Sequence, residues 1–132
     1  MAVPVDFEIT KGCYCLRARK AARAITRLYE EKLRPHGLRA TQFSILAALA
    51  CKGPTRIGEL AEALGLERTT LTRSATLLAQ KGWTADAASQ DGRERLIEIT
   101  ASGLSKLEAA LPSWEQAQAQ AGGRFEAASV DT

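Results

Sequence analysis

Between residues 55 and 100 the alternation of apolar and polar positions marks four elements, two at helical period and then two at period two. Arg56 to Leu64 places Ile57, Leu60, Ala61 and Leu64 at helical spacing, with Thr55 positioned to cap the segment and Gly65 to end it. After Leu66 a second helix is expected from about Glu67 to Gln80, with Leu71, Ala75 and Leu78 on one face and Thr69, Thr72, Arg73 and Thr76 opposite. Beyond Gly82 the period falls to two. Trp83 to Ala88 reads as a short strand, Ser89 to Arg93 as a turn, and Arg95 to Ile99 as the returning strand. Two tightly joined helices followed by a basic hairpin make a winged helix-turn-helix, and the chain is expected to be mainly α with a small antiparallel β-wing.

The flanking segments are helical in pattern. A long first helix is expected over about Lys11 to Leu33, where Cys15, Ala18, Ala22, Ile25 and Tyr29 keep spacings of three and four. A second is expected over Thr41 to Lys52 and carries Cys51, read as core or interface. Leu104, Leu107, Leu111 and Trp114 start a last helix, which Pro112 should bend and Gly122-Gly123 should break, leaving only Arg124 to Thr132. The organisation follows: residues 1–10 an N-terminal extension, 11–53 a dimerisation helix and second helix, 54–100 the winged helix-turn-helix, and 101–132 a C-terminal dimerisation helix with a short tail.

A polar helix face bearing Thr69, Thr72, Arg73 and Thr76 suits the DNA major groove, since Arg reads guanine bidentately and Thr offers both a hydroxyl and a methyl. Arg68, at the helix start, would take phosphate. Arg93 at the hairpin tip, oriented by Asp91 and aided by Arg95, suits a narrow minor groove.

These residues resemble the MarR family of bacterial transcriptional regulators. The similarity lies in Leu66 to Arg73, in Lys81-Gly82-Trp83, in Asp91-Gly92-Arg93, and in Leu96 to Thr100 followed by Gly103. Upstream it continues through Leu33 to Leu38 and Thr41-Gln42-Phe43, so that it covers about residues 13 to 120. The resemblance implies a homodimer on a pseudo-palindromic operator, usually a repressor released by a small phenolic or other lipophilic ligand or by thiol oxidation. It also implies a further C-terminal dimer helix that this sequence does not show. The ligand pocket it implies, between dimer helices and winged helix, would be lined by Tyr29, His36 and Trp83, although core packing is an alternative role for each.

The peroxide-sensing branch of that family carries a reactive cysteine near the start of the first helix, close to tyrosines; Cys15 falls at that position and Tyr29 at one of the tyrosines. Arg19 and Lys20 stand where two cations would favour a thiolate. The other reading of Cys15 is an inert small hydrophobe on an apolar stripe. Cys13 and Cys15, as neighbours two apart on a helix, would point in different directions and form no local disulfide or metal clip.

Bulk composition narrows the class without naming it. At 132 residues, 45% hydrophobic and 25% charged, the chain suits one small domain. No apolar run approaches the ~20 residues of a membrane span, and no secretory leader is visible. Three cysteines are an odd number, against a disulfide scaffold, so the expected location is the cytoplasm. One histidine, and no Ser-His-Asp set, paired-carboxylate cleft or Gly-rich phosphate loop, point away from an enzyme; no cofactor or metal is implied.

Charge is uneven. Residues 11 to 39 hold nine Lys or Arg against Glu30 and Glu31, whereas residues 56 to 100 hold six basic and seven acidic residues. The DNA reading therefore expects Glu59, Glu62 and Glu98 to point away from phosphate. The basic run Arg17, Lys20, Arg23 and Arg27 is either a solvated face or an anion-attracting one. The rival function is a winged-helix module that docks proteins and never reads DNA.

Overall fold

A computed structural model describes residues 3–89, 92 and 95–130, the last six by their backbone alone. Five helices and three short strands follow in order: α1 (Tyr14–Leu33), α2 (Ala40–Lys52), β1 (Thr55–Arg56), α3 (Ile57–Leu64), α4 (Arg68–Gln80), β2 (Thr84–Ala88), β3 (Arg95–Ile99) and α5 (Ala101–Val130). The mainly helical architecture with a three-stranded antiparallel sheet, ordered β1-β3-β2, agrees with the fold class expected from the sequence. No described helix is long and apolar enough to cross a membrane.

α1 starts later than its periodicity suggested. Phe7–Gly12 forms a 3-10 segment capped by the Asp6 carboxylate, and Cys13 caps α1 from outside the helix at φ −58°, ψ 119°. Cys13 and Cys15 are therefore not two positions of one helix, and their directions are not set by helical geometry. α2 lacks a Ser, Thr, Asp or Asn cap. Glu30, reaching across from α1, supplies one: its Oε1 accepts from Ala40 N at 2.9 Å while its Oε2 accepts from Arg39 Nε at 2.9 Å. The Gln42 side chain meets a further end group by accepting from Arg39 N.

Thr55 is no helix cap. It pairs with Ile97 in the sheet, and its buried hydroxyl donates to the Gly53 carbonyl at 2.8 Å. The residue before α3 is Arg56, paired with Leu96. Gly65 closes α3 at φ 65°, a left-handed position that a side chain would strain, and Leu66 N then bonds back to the Ala61 carbonyl.

The core gathers Phe43, Ile45, Leu46 and Leu49 of α2 with Leu60 of α3, Leu71, Ala75 and Leu78 of α4, and Ile97 of β3. Phe43 stacks on Trp114 with ring centroids 5.8 Å apart, tying α2 to α5. The α4 face read as buried is the one that enters this core. Cys51 does not; it is exposed at the end of α2.

α5 corrects the expectation for the C-terminus, because it runs unbroken through Pro112 and Gly122-Gly123 to Val130, about 45 Å long. Proline removes one helical hydrogen bond, and glycine lowers helix propensity without forbidding the conformation. Packing along α1 offsets both, since Ala110, Ala117 and Ala121 are buried and allow close approach. Tyr29 Oη, from α1, donates to Gln118 Oε1 across this contact.

Candidate nucleic-acid interface

α4 is held by its buried stripe, so the alternate positions must face outward. Arg68, Thr69, Thr72, Arg73 and Thr76 are all exposed, as the periodicity required. Thr76 is already partly engaged, its hydroxyl donating to the Thr72 carbonyl at 2.9 Å, which leaves its oxygen lone pairs and methyl for a partner.

Beside this face lies an open trough of about 720 Å3 in which Arg68 and Thr72 of α4 meet Arg56 of β1, Glu59 and Glu62 of α3 and Arg95 of β3. Three predicted site residues, Arg68, Thr72 and Arg95, are thus brought together from two separate elements. Arg95 pairs with Ala88 across the hairpin, and its Nε donates to Asp86 Oδ1 at 3.0 Å, so the guanidinium is aimed along the wing rather than left loose. Asp91 and Arg93, the tip residues expected in the minor groove, lie outside the described residues. Gly92, between them in sequence, has φ 69°, and its N–H donates to the Ser89 carbonyl at 3.2 Å.

Two features of the trough run against the sequence-based expectation. Arg56, read as the first residue of a helix, belongs to β1 and joins the site through its pairing with Leu96, a contact that no local pattern encodes. Glu59 and Glu62, expected to point away from phosphate, instead line the trough. The reason is geometric: burying Ile57, Leu60 and Ala61 turns positions 59 and 62 of α3 towards the start of α4. Glu59 lies 3.7 Å from Arg56, which blunts both charges at this exposed edge. Glu98, opposite Ala85 on β3, does not line the trough.

The wing base is fastened to the rest of the molecule by a compact set of bonds. Thr100 N donates to the Trp83 carbonyl at 3.0 Å, Thr100 Oγ1 donates to the Gly82 carbonyl at 2.6 Å, and Gly103 N donates to Thr100 Oγ1 at 3.0 Å. Thr100 therefore caps α5 and closes the wing at once. Gly103 is required there, because a Cβ would lie 2.1 Å from the Trp83 carbonyl oxygen.

The three residues expected to line a ligand pocket are separated. Tyr29 lines a cavity of about 290 Å3 with Ile25, Leu33, Phe43 and Trp114. His36 Nε2 sits 2.9 Å from Ser113 Oγ, and the ammonium groups of Lys81 and Lys106 lie 4.8 and 5.3 Å from the Trp83 ring centroid. Cys15 and Tyr29 do not meet within one chain. Both lie on α1, about 21 Å apart along its axis. Cys15 is exposed, as are Ala18 and Ala22 of the same stripe, so its leading half is uncovered within one chain.

A helix-turn-helix with an exposed Arg/Thr recognition face and an attached wing defines a winged helix-turn-helix transcriptional regulator. The comparisons agree. The MarR family pattern matches residues 38–94, from the end of the α1–α2 junction to the wing. The M. tuberculosis transcriptional regulator MosR, solved in complex with DNA, is 41% identical, with 82% of this chain and 79% of that chain covered and a TM-score of 0.73. YwoH of Bacillus subtilis (strain 168), an uncharacterized HTH-type transcriptional regulator, is 34% identical over 89 residues; these are 67% of this chain and 65% of that protein, so the chain spans just under two thirds of that relative's length. A mutant MarR from E. coli, complexed with operator DNA, shares the fold at a TM-score of 0.79 and 22% identity, over 89% of this chain and 85% of that one. The chain belongs to the MarR family.

Proposed function

We propose that the protein is a homodimeric transcriptional repressor that holds a pseudo-palindromic operator by placing α4 of each subunit in the major groove. The observation that carries this reading is the convergence of Arg56, Arg68, Thr72 and Arg95 on one trough, alongside the exposed side chains of Thr69, Arg73 and Thr76. Guanidinium groups from two sheet strands and a helix start suit phosphates, while the α4 face carries the base-reading chemistry. Arg93, with Asp91 beside it in sequence, is assigned to the minor groove. MosR bound to DNA supports the same use of this fold.

The dimer is supported by what one chain leaves uncovered. Val3, Val5, Phe7 and Ile9 are 71–87% exposed, and Tyr14, Cys15, Ala18 and Ala22 continue the apolar surface along α1. A second copy covering these residues removes a patch that water would otherwise face.

Release is assigned to a small lipophilic or phenolic ligand in the cavity of Tyr29, Phe43 and Trp114, whose lining suits an aromatic ring. Oxidation of the exposed Cys15 is a second route to the same release.

The experiment that tests the core of this reading is a salt-dependent anisotropy titration of reduced protein against duplex DNA from upstream of its own gene, with a scrambled duplex alongside. Tight, steeply salt-dependent binding that prefers the upstream duplex is expected. Absence of binding to either duplex at low salt would refute it and favour a protein-docking module.

A further inference from the structure

A second concave site, of about 520 Å3, opens where the end of α1, the α1–α2 junction and the end of α4 meet. Four cations line it: Arg27 in the second half of α1, Arg34 just after α1, Arg39 before α2, and Lys81 after α4. The acid among its lining residues, Glu30, has one oxygen on Arg39 Nε and the other on Ala40 N, so its direct contacts are with Arg39 and the start of α2, and four cations face one carboxylate. Arg27 and Arg34 have no ion pair among the described residues. Lys81 reaches the Gly37 carbonyl at 3.3 Å and the face of Trp83.

Gln42 adds an independent indication. It is 5% exposed and lines the same cavity. Its side-chain oxygen is fixed by Arg39 N, which leaves the NH2 group as the free end, and that group has no hydrogen-bond partner among the described residues. No fully enclosed side-chain polar atom among those residues lacks a partner, so the NH2 group keeps a small exposure, on a residue that lines the cavity. A donor with little exposure and no protein partner is open to an acceptor that enters the cavity. The cavity thus presents cations at its rim and an open donor in its wall.

We propose that this cavity is a binding site for a small, multiply charged anion of the phosphate-ester or polycarboxylate type. Guanidinium forks match the oxygens of either group bidentately, and the volume fits a metabolite-sized molecule. The site is distinct from the groove-reading trough, since Arg68 and Lys81 stand at opposite ends of α4, about 20 Å apart. It also differs from the aromatic cavity of Tyr29, Phe43 and Trp114. An anion held there bridges α1 to the end of the recognition helix, so its use as a regulatory signal rests on the regulator reading above, while the binding itself does not.

The test is isothermal titration of the full chain, without DNA, with inorganic pyrophosphate and separately with citrate at constant ionic strength. Saturable binding is expected for at least one of them, and the R27E/R34E double variant should weaken it by roughly tenfold or more. Arg34→Gln serves as a milder variant, and circular dichroism checks that each remains folded. R73E, on the outer face of α4, should bind the anion as the wild type does. Heat that follows ionic strength alone, or affinity unchanged in R27E/R34E, would overturn the proposal. So would a result in which neither anion binds but R27E/R34E lowers the salt slope of DNA binding, because the pocket would then hold a backbone phosphate. Failure of the operator titration leaves the anion measurement untouched, so the two readings fail separately.

Discussion

Gly103→Ala should destabilise the protein even though it replaces glycine by the best helix former inside a helix. On propensity alone the change should gain up to about 1 kcal/mol. The added Cβ, however, would stand 2.1 Å from the Trp83 carbonyl oxygen and 2.9 Å from both the Trp83 carbonyl carbon and Ile99 Cγ1. Ordinary contact, at roughly 3.4 Å or more, requires the wing base to move away by over about 1.3 Å, and that carbonyl is the acceptor of the Thr100 N–H bond at 3.0 Å. Overpacking of this kind costs about 1–3 kcal/mol, and a lost hydrogen bond adds about 1 kcal/mol. After subtracting the propensity gain the net loss is about 1–3 kcal/mol, or a fall in Tm of roughly 3–12 °C for a domain of this size. The assay is thermal unfolding at fixed protein concentration, with Gly58→Ala as the control. Gly58 lies in α3 with nothing within 4 Å of the added Cβ, so the same chemical change there should be neutral or stabilising by up to about 1 kcal/mol. If Gly103→Ala matched Gly58→Ala in sign, the account of the wing base as a rigid carbonyl contact would be wrong.

Three further outcomes are expected. Leu71→Ala, at a fully buried position of α4, should lower stability by about 2–5 kcal/mol in denaturant unfolding, and a loss below about 1 kcal/mol would mean that the core collapses around the cavity. Arg73→Ala should cost about 1–3 kcal/mol of operator affinity and relax selectivity at one base pair; equal loss on every duplex would instead mark a phosphate contact. Cys15→Ser should keep operator binding and abolish release by peroxide, so a variant that still dissociates on oxidation would remove Cys15 from the sensing route.

How much is legible in the sequence follows from the range of the interactions involved. The α4 face is readable because Leu71, Ala75 and Leu78 enter the core at helical spacing, and their burial leaves Arg68, Thr69, Thr72, Arg73 and Thr76 outside. The hairpin strands are readable because their alternation and the intervening turn are adjacent in the chain. Arg56 is not, because its ladder partner is Leu96, far along the sequence, and a two-residue strand has no period of its own. Cys15 and Tyr29 lie on one helix about 21 Å apart along its axis, so an approach of one to the other is not contained in a single chain and no local pattern encodes it.

The sequence by itself therefore determined the element types around the turn, the polarity of the recognition helix and the family, because each rests on neighbours within a few residues. Tertiary structure decided the rest. Packing on α1 carried α5 through Pro112 and Gly122-Gly123, where local propensity called for a break. Burial of one face of α3 turned Glu59 and Glu62 into the trough, against the simplest electrostatic expectation. The meeting of Arg27, Arg34, Arg39 and Lys81 around a buried glutamine arose only when three separate segments folded together. Periodicity specifies which face of an element is inward; which other element lies beside the outward face is set by the non-local closure of the core.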